Sequence, residues 1–356
     1  MEVEGDTMRY KLLATIASIM VLVAVLSVGC TTTDDGDSSA TRLDTVTERG
    51  NLIAAGRTDL PGFGFLREDG SNAGFDIDLA RAVAAAIFGD GSSLEVVPIS
   101  AAERGPTIQG GEVDVLTRNV TWTTSRDAQW GNFTNVMFYD GQGFMVRANS
   151  GFNHATDLNG ITVCVTSGTT TESNLADYFR QNGFSLDTVV FEDSASVYGA
   201  YEEGRCDAAT SDKSQLAAIR SGLQNPNDHK ILPETISKEP LTPAVPHGDD
   251  SWFDLVKLVM YVLVNAEELG VTQANVEASK SSDSIPVRKL LGVEGSFGQA
   301  DVGLSDDFAV DVIKAVGNYG EIYDRYMGPN GESFTLPRGP NELWNNGGLI
   351  YAPPAK

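Results

Sequence analysis

Three short polar segments follow apolar, strand-like runs, and their side chains could hold a small zwitterion. The first segment is 117–126, TRNVTWTTSR, directly after the run 113–116. It offers hydroxyls, an amide and the guanidinium of Arg126, which can bind a carboxylate through two parallel charged hydrogen bonds. Polar loops after strands are common, so this segment alone does not define a site.

The second segment is 167–172, SGTTTE, between a predicted strand and a predicted helix. Free backbone N–H groups at a helix entry, with the helix dipole behind them, favour an anion. Gly168 lets a ligand approach the backbone closely. A threonine at a helix entry is also an ordinary N-cap, and that role is the alternative.

The third segment contains Asp212, just past another predicted strand, in 209–213, ATSDK. Asp212 is either an N-cap or a carboxylate that binds an ammonium. A cation, an anion cradle and an acid together match the two poles of an α-amino acid. Because ligands of open parallel sheets lie beyond the carboxyl ends of the strands, the sequence predicts an amino-acid site at that edge.

Strands and helices alternate in two successive series, which predicts two α/β lobes with mainly parallel sheets. In the first series, Asp76 or Asp78 is the expected N-cap of the first long helix. The predicted strands are 52–56, 94–99, 113–116, 161–166, 188–191, 206–210 and 229–232. The predicted helices are 79–88, 106–109, 171–181, 194–203, 213–221, 252–269, 306–316 and 319–326.

The charge balance excludes one broad class of function. The chain of 356 residues has 25 Lys+Arg and 49 Asp+Glu, a formal net charge of −24. Nucleic-acid binding needs clustered cations, so no nucleic-acid partner is expected. With only three separated histidines, neither a metal site nor a cofactor is expected. The acidic excess indicates either a solvated surface or adaptation to high salt.

The N-terminal segment has the features of an export signal. Arg9 and Lys11 precede the uncharged run 12–28, which ends in small residues before Cys30. Residues 26–30, LSVGC, resemble the bacterial lipoprotein box, so we expect a signal peptide over 1–30 and lipidation of Cys30. Simple cleavage and an uncleaved anchor are the alternatives. The small, polar residues that follow predict a flexible tether over 31–42.

Export has a consequence for the two remaining cysteines. Cys164 and Cys206 lie in apolar, strand-like segments. An oxidising compartment permits a disulfide between them. Two buried free thiols are the alternative.

Motifs along 43–354 carry a resemblance to a known family. The motifs are 60–63 LPGF, 74–80 GFDIDLA, 110–116 GGEVDVL and 204–209 GRCDAA. With them the chain resembles the solute-binding proteins of amino-acid ABC importers, of the two-lobed periplasmic kind (family 3 type). Within that family it is most similar to the general L-amino-acid-binding proteins, through 117–122, 238–241, 247–250, 263–270, 318–323 and 343–354.

The resemblance implies a fold and a function. The fold is the periplasmic-binding-protein type II fold, with lobe 1 at 43–146 and 244–356, lobe 2 at 147–243, and hinges near 146–147 and 242–245. The function is capture of L-amino acids, of broad and polar kind, and delivery to the membrane permease of an ABC importer. The protein is expected to be a monomer in the periplasm or on the outer face of the cytoplasmic membrane, held there by a lipid anchor.

The resemblance also implies roles for individual residues. Arg126 matches the carboxylate-binding arginine and Thr121 its hydroxyl partner. Asn119 matches the residue whose carbonyl meets the ammonium, and Asp212 matches the ammonium-binding acid.

Two further positions follow from the same resemblance. Thr170, with Gly168 in the same turn, matches the amide donor of the second lobe. Where the family often stacks an aromatic ring on the ligand, this chain has Leu60, with Phe63 nearby.

Two other classes of function remain open at this point. A dehydratase-like enzyme on the same fold would need a further titratable group in the cleft, and Asp59 and Glu103 are the candidates by position. A sensor would use the same module to act on a receptor partner. We expect capture rather than catalysis, with no catalytic residue.

Overall fold

The computed structural model describes residues 40–356. The predicted signal peptide, Cys30 and the tether up to Ser39 lie outside the described residues. The first helix is α1 (Arg42–Arg49), and Thr41 caps it by accepting the N–H of Asp44 at 3.1 Å. Residues 41–42, predicted to belong to the tether, therefore start the folded unit. Both arginines of α1 pair with the buried carboxylate of Asp114, which fixes the helix to the rest of the chain.

Fifteen strands are found among the described residues. They are β1 (Leu52–Gly56), β2 (Asp59–Leu60), β3 (Gly64–Leu66), β4 (Asn72–Ala73), β5 (Leu94–Pro98), β6 (Val115–Leu116), β7 (Asn132–Phe133), β8 (Phe138–Asp140), β9 (Gln142–Arg147), β10 (Thr162–Thr166), β11 (Asp187–Phe191), β12 (Ala208–Asp212), β13 (His229–Ile231), β14 (Glu239–Leu241) and β15 (Ala244–Val245).

Two mixed five-stranded sheets form the framework, which confirms the two-lobed α/β prediction. The first sheet has the order β5-β1-β6-β15-β7, and the second has the order β11-β10-β12-β9-β13. In each sheet the first three strands are parallel. The next strand, β15 or β9, runs antiparallel to both of its neighbours. The carboxyl ends of the parallel strands therefore meet at one edge of each sheet.

A two-stranded ribbon of β8 and β14 stands between these sheets in the chain. Strand β8 precedes β9 and strand β14 follows β13, so the chain runs through the ribbon once on entering the second sheet and once on leaving it. The hinge predicted near 146–147 falls at the end of β9, a strand hydrogen-bonded on both sides. Backbone paired on both sides cannot take up a large rotation, so that position is wrong for a hinge, and the ribbon is the better candidate.

The remaining helices flank the sheets. They are α2 (Phe75–Phe88), α3 (Arg104–Gln109), α4 (Thr124–Gln129), α5 (Thr170–Asn182), α6 (Ser194–Glu202), α7 (Lys213–Gly222), α8 (Asp250–Glu268), α9 (Val276–Ser279), α10 (Ile285–Leu290), α11 (Phe308–Val316) and α12 (Tyr319–Met327). Short 3₁₀ turns occur at Ala155–Leu158, Pro226–Asp228, Ala300–Val302, Gly339–Asn341 and Trp344–Asn346.

The largest core lies around α2. This helix is apolar on nearly all sides, and α8, α11 and α12 from the C-terminal half pack on it. The C-terminal helices therefore complete the lobe of the first sheet. Helix α2 begins four residues earlier than predicted, so Asp76 and Asp78 are not its N-cap. They lie in its first turn, and Gly74 precedes it without a side-chain cap.

The lobe of the second sheet has its own, smaller core, divided between the two faces of the sheet. Cys164, on β10, and Cys206, just before β12, form a disulfide on one of these faces. The cross-link joins two neighbouring parts of the lobe that are 42 residues apart in the chain. Among residues 40–356 no helix is both long and apolar enough to cross a membrane.

Candidate ligand-binding site

A cavity of about 230 Å³ lies between the two sheet lobes. The first lobe lines it with residues that follow β1, β5 and β6, and the second lobe with residues at the ends of β10, β11 and β12. This is the edge where ligands of open α/β sheets are expected. Of the predicted site residues, Asn119, Thr121, Thr170 and Asp212 line the cavity. The structure brings these four together from both lobes.

Asn119 adopts a backbone conformation that is unusual for its type. Its φ of 36° is the only positive value at a non-glycine residue between 40 and 356. The buried carboxylate of Asp76 accepts the Asn119 N–H at 2.6 Å and so holds this conformation. Burial raises the pKa of Asp76 to about 7. Asp76 thus supports the loop that carries Asn119.

Thr121 and Thr170 meet across the cleft at a third residue, Glu239 of β14. One oxygen of the buried Glu239 carboxylate accepts the Thr121 hydroxyl at 2.6 Å and the Thr170 hydroxyl at 2.8 Å. The other oxygen accepts Asn174 at 2.8 Å and Ser237 at 2.5 Å. Glu239 therefore ties the two lobes to the ribbon through the side chains predicted to contact a ligand.

Arg126 is buried beside the cavity but is not among the residues that line it. It belongs to α4, a single short helix that Thr123 caps. Its Nη1 donates to the carbonyl of Thr121 at 3.0 Å, and its guanidinium lies 4.7 Å from the centre of the Trp130 ring. Burial lowers the pKa of Arg126, while the negative charges of Glu239 and Asp212 act in the opposite direction. Arg126 thus reaches the site from behind Thr121.

Gly168 lies at a close contact between the two lobes. Its φ is +68°, and an added Cβ would lie 3.1 Å from the Ala102 backbone of the first lobe. Its N–H donates to Glu172 at 3.0 Å, and its carbonyl accepts Arg104 at 3.2 Å. Gly168 therefore serves the contact between the lobes, and its own N–H is already engaged.

The capping question at this helix entry has a clear answer. The N-cap of α5 is Thr169, whose hydroxyl accepts the Glu172 N–H at 3.1 Å. Thr170 is the first helical residue, and its side chain is directed to Glu239 instead. An ordinary capping role does not account for Thr170.

Asp212 ends β12 and precedes α7 without capping it through its side chain. It is 6% exposed. Burial raises its pKa well above the usual value, and the negative charges of Asp140 and Glu239 add to this effect. The pKa of Asp140 is itself raised to about 6, chiefly by burial. An acid in this setting gains strongly from a bound cation such as an ammonium.

Leu60 and Phe63 are not at the cavity, contrary to the prediction. Both are fully buried in the large core of the first lobe. Phe63 makes edge contacts with the rings of Phe138 and Phe75, at centroid distances of 5.1 and 6.4 Å. The turn between β2 and β3 directs both side chains into the lobe, so neither Leu60 nor Phe63 is placed to contact a ligand in the cavity.

Three cavity-lining arginines were missed by the sequence reasoning. They are Arg57, Arg104 and Arg118, all 8% exposed or less. Arg57 directly follows β1, and Arg118 is two residues beyond β6. The rule that drew attention to Asp212, a polar residue just past a strand end, would have found both.

Arg57 spans the cleft. Its five N–H groups make five hydrogen bonds: two to Asp59 at 2.7 and 3.0 Å, and one to Asn119 at 3.2 Å. The other two reach the second lobe, at Gln215 Oε1 (3.0 Å) and Ser194 Oγ (3.2 Å). Arg57 is therefore fully engaged within the protein and links the two lobes directly.

The two acids considered for an enzyme are engaged in structural contacts. Asp59 holds the guanidinium of Arg57, which lowers the pKa of Asp59 against the effect of its burial. Glu103 is exposed and accepts the N–H of Ser100 at 2.7 Å, which lowers its pKa. Within residues 40–356, no group of three or more His, Cys, Asp or Glu side chains is placed to hold a metal ion.

Two lobes that enclose a polar cavity at the carboxyl ends of their strands define the architecture of a solute-binding protein. Comparison with known proteins identifies the family. The chain belongs to the bacterial extracellular solute-binding proteins, family 3, whose model matches residues 52–329.

Individual relatives extend over nearly the whole chain. The general L-amino acid-binding periplasmic protein AapJ of Rhizobium johnstonii is 48% identical over 351 residues, 98% of this chain and 100% of that protein. The glutamate/glutamine/aspartate/asparagine-binding protein BztA of Rhodobacter capsulatus is 46% identical over 321 residues, 90% of this chain and 94% of that protein.

A solved structure is similarly related. An ABC transporter/periplasmic binding protein from Brucella ovis with glutathione bound is 47% identical, with a TM-score of 0.86. The match covers 89% of this chain and 100% of that one. These relatives bear out the family expected from the motifs.

Proposed function

We propose that this protein is the extracytoplasmic substrate-binding component of an ABC importer and that it captures L-amino acids. One observation carries the proposal: a buried acid of the second lobe, Asp212, faces buried arginines of the first lobe across a cavity. An α-amino acid carries an ammonium and a carboxylate on the same carbon atom. A ligand of this kind neutralises charges on both lobes at once.

Within this proposal, Asp212 binds the ammonium together with the carbonyl of Asn119. Arg126 binds the carboxylate, together with the hydroxyl of Thr121. Thr170, at the start of α5, completes the grip from the second lobe. Binding then requires Glu239 to give up some of the threonine hydrogen bonds that it accepts. Because Glu239 belongs to β14, this exchange of hydrogen bonds links ligand binding to the conformation of the ribbon.

The proposed movement is a hinge rotation of the lobe of the second sheet, about residues 142–237, against the rest of the chain. The ribbon of β8 and β14 absorbs the change. Because the ligand contacts both lobes, it stabilises the closed arrangement over the open one by its differential contacts. The closed form is then the one that docks on the permease.

The proposed location follows from the export signal and from relatives named as periplasmic proteins. We propose that Cys30 carries a lipid anchor and that the protein acts as a monomer. Replacement of Cys30 by serine should release the protein from the membrane fraction of the producing cells. Retention of the Cys30→Ser protein in that fraction contradicts lipid anchoring at this residue.

A thermal-shift screen with the twenty L-amino acids tests the capture function, since a ligand that binds the folded state raises the melting temperature by mass action. Several polar L-amino acids are expected to raise it, and their D-enantiomers, which misplace one pole, are the matched controls. If no L-amino acid raises the melting temperature, the proposed function is wrong.

A further inference from the structure

Three buried arginines at the cleft lack an acidic partner. Arg104 is 4% exposed, and Arg118 and Arg126 are each 8% exposed. Between residues 40 and 356, no carboxylate oxygen lies within 4.0 Å of their guanidinium nitrogens. Arg57, by contrast, is paired with Asp59.

Burial of a guanidinium without a counter-ion is costly, because the charge loses its hydration and gains no compensating interaction. The pKa values record this cost. Burial lowers the pKa of Arg118 to about 9 and that of Arg104 well below its usual value, and neighbouring arginines add to both effects. Asp59 and Asp76 act in the opposite direction on the pKa of Arg118, as Asp212 does on that of Arg104, but none of these acids contacts the two guanidinium groups. The cleft therefore gains from more negative charge than one carboxylate supplies.

Arg104 and Arg118 are held as fixed donors on the same wall of the cavity. The Nε of Arg118 donates to the carbonyl of Ile99 at 2.7 Å, and the Nε of Arg104 donates to that of Ala101 at 2.8 Å. The only further hydrogen bond found for either, within the part of the chain that the structure describes, runs from Arg104 Nη2 to Gly168. The other terminal N–H groups are available to an anion.

The acids around the same cavity do not supply the missing charge. Asp59 is bound to Arg57, and Asp193 caps α6 by accepting the Ser196 N–H at 2.8 Å. Glu192 is exposed on the opposite lobe, and Asp212 is reserved for the ammonium in the proposed function. A ligand is therefore the remaining source of a negative group that could contact these arginines directly.

We propose that Arg104 and Arg118 form a second anion subsite, and that the preferred ligands are L-amino acids with a second carboxylate. The inference rests on the proposed function, in which Arg126 and Asp212 hold the α-carboxylate and the ammonium. A guanidinium with free terminal donors binds a carboxylate through charge-assisted hydrogen bonds, whereas an amide cannot neutralise it. An acid is therefore bound more tightly than its isosteric amide.

Two sources can supply the second carboxylate. One is the side chain of glutamate or aspartate, and the other is the terminal carboxylate of a γ-glutamyl peptide. Both present an α-amino-acid head and a further carboxylate on a flexible chain. They differ in reach, so direct titration of each distinguishes them.

Titration calorimetry of the full-length protein tests the subsite with matched ligand pairs. The first pair is L-glutamate and L-glutamine, and the second is glutathione and its glycyl monoethyl ester. For at least one pair, the member with the second carboxylate should bind about tenfold more tightly or better, as expected for a charge-assisted bond. The pair that shows this difference identifies the source.

The variant Arg118→Gln tests whether Arg118 causes the preference for the ligand with the second carboxylate. It should lower the affinity for the ligand with the second carboxylate about tenfold relative to the wild type. The affinity for the other ligand of the pair should stay within about threefold of the wild-type value, so the affinity ratio of the pair falls towards one. Arg205→Gln, at an exposed arginine of the second lobe, is the matched control and should change neither. If Arg118→Gln fails to fold, Arg118→Lys, which keeps the positive charge, replaces it as the variant. The titration of both ligand pairs with the wild-type protein still tests whether a second carboxylate is preferred.

The outcomes separate the two proposals. Equal affinity for the members of both pairs, or an equal loss for both members in Arg118→Gln, overturns the second subsite and leaves amino-acid capture standing. Absence of binding for all four ligands and for the twenty L-amino acids overturns capture itself. A selective loss of the dicarboxylate in the variant supports both.

Discussion

At the scale of single residues, Arg126 carries the first prediction. Replacement by alanine leaves the α-carboxylate of the ligand unpaired while Asp212 keeps its ammonium. Binding of any L-amino acid should weaken by roughly 2–5 kcal/mol, the usual range for truncation of one partner in a buried charge pair. Titration calorimetry measures it, and circular dichroism controls for folding. Unchanged affinity would reject Arg126 as the carboxylate-binding residue.

Asp76 carries a prediction about pH. Its pKa of about 7 in the folded chain lies above the value near 3.9 of an unfolded aspartate. The folded state therefore binds more protons between these pH values, and the free energy of unfolding falls as pH rises from about 4 to 7. Asp76→Asn keeps an acceptor for the Asn119 N–H but removes this charge.

Urea unfolding at pH 5 and pH 8 measures the difference. The wild type should lose about 2.5 kcal/mol relative to Asp76→Asn between these two pH values. Asp254→Asn, at an exposed residue, is the control and should follow the wild type. Parallel pH profiles of the wild type and Asp76→Asn would show that Asp76 titrates near its ordinary pKa in the folded state.

The residues of the site show what sequence reasoning can reach. Asn119, Thr121, Thr170 and Asp212 lie in short segments at or just past strand ends, and the structure places all four at one cavity. Leu60 and Phe63 were placed by alignment alone, and the direction of a turn decides where such side chains point. Glu239 lies in the segment 238–241 that carries the resemblance, but nothing local indicated its role, because that role arises from hydroxyls 118 and 69 residues away in the chain.

At the scale of elements, the long amphipathic helices and the buried parallel strands followed from periodicity. Strands β7, β8, β14 and β15 did not, because each has only two or three residues and pairs with a distant partner. Helix α4 was hidden in the binding segment for a similar reason, since six residues give no helical period. Among them, β8 and β14 form the ribbon between the lobes, so this connection was the least predictable part of the fold.

The disulfide allows a prediction about the second lobe. Cross-linking residues 42 apart restricts the unfolded chain, and the chain-entropy model gives about 4 kcal/mol for a loop of that size. The double variant Cys164→Ala, Cys206→Ala should lose up to that amount in urea unfolding. Reduction of the wild type with a strong thiol should reproduce the loss, and the double variant should be insensitive to the thiol. Equal stability of the oxidised and reduced wild type would contradict the prediction.

At the scale of the whole molecule, Arg57 links the lobes without any contribution from a ligand. Its bonds to Gln215 and Ser194 favour the closed arrangement, and apparent affinity scales with the population of the binding-competent state. Arg57→Met should therefore weaken the binding of every ligand by one common factor. Small-angle scattering of the ligand-free variant should give a larger radius of gyration than that of the wild type.

A double-mutant cycle with Gln215→Ala supplies the control. If the two side chains act through their mutual contact, the effects of the single variants on affinity should not add, with a coupling energy of about 1 kcal/mol. If Arg57→Met changes the order of ligand preference without lowering the affinity for every ligand by a common factor, Arg57 instead contacts the side chain of the ligand.

If the Arg57 contacts hold the lobes together before a ligand binds, they have a cost for transport that binding assays do not display. A receptor that shuts while empty resembles a loaded one to the membrane machinery, so vacant copies occupy docking positions and slow the flux when receptor outnumbers permease. Strengthening this link would sharpen scavenging from dilute surroundings and would reduce throughput when nutrients are abundant. The strength of the Arg57 contact would therefore balance affinity at low ligand concentration against the transport rate at high ligand concentration.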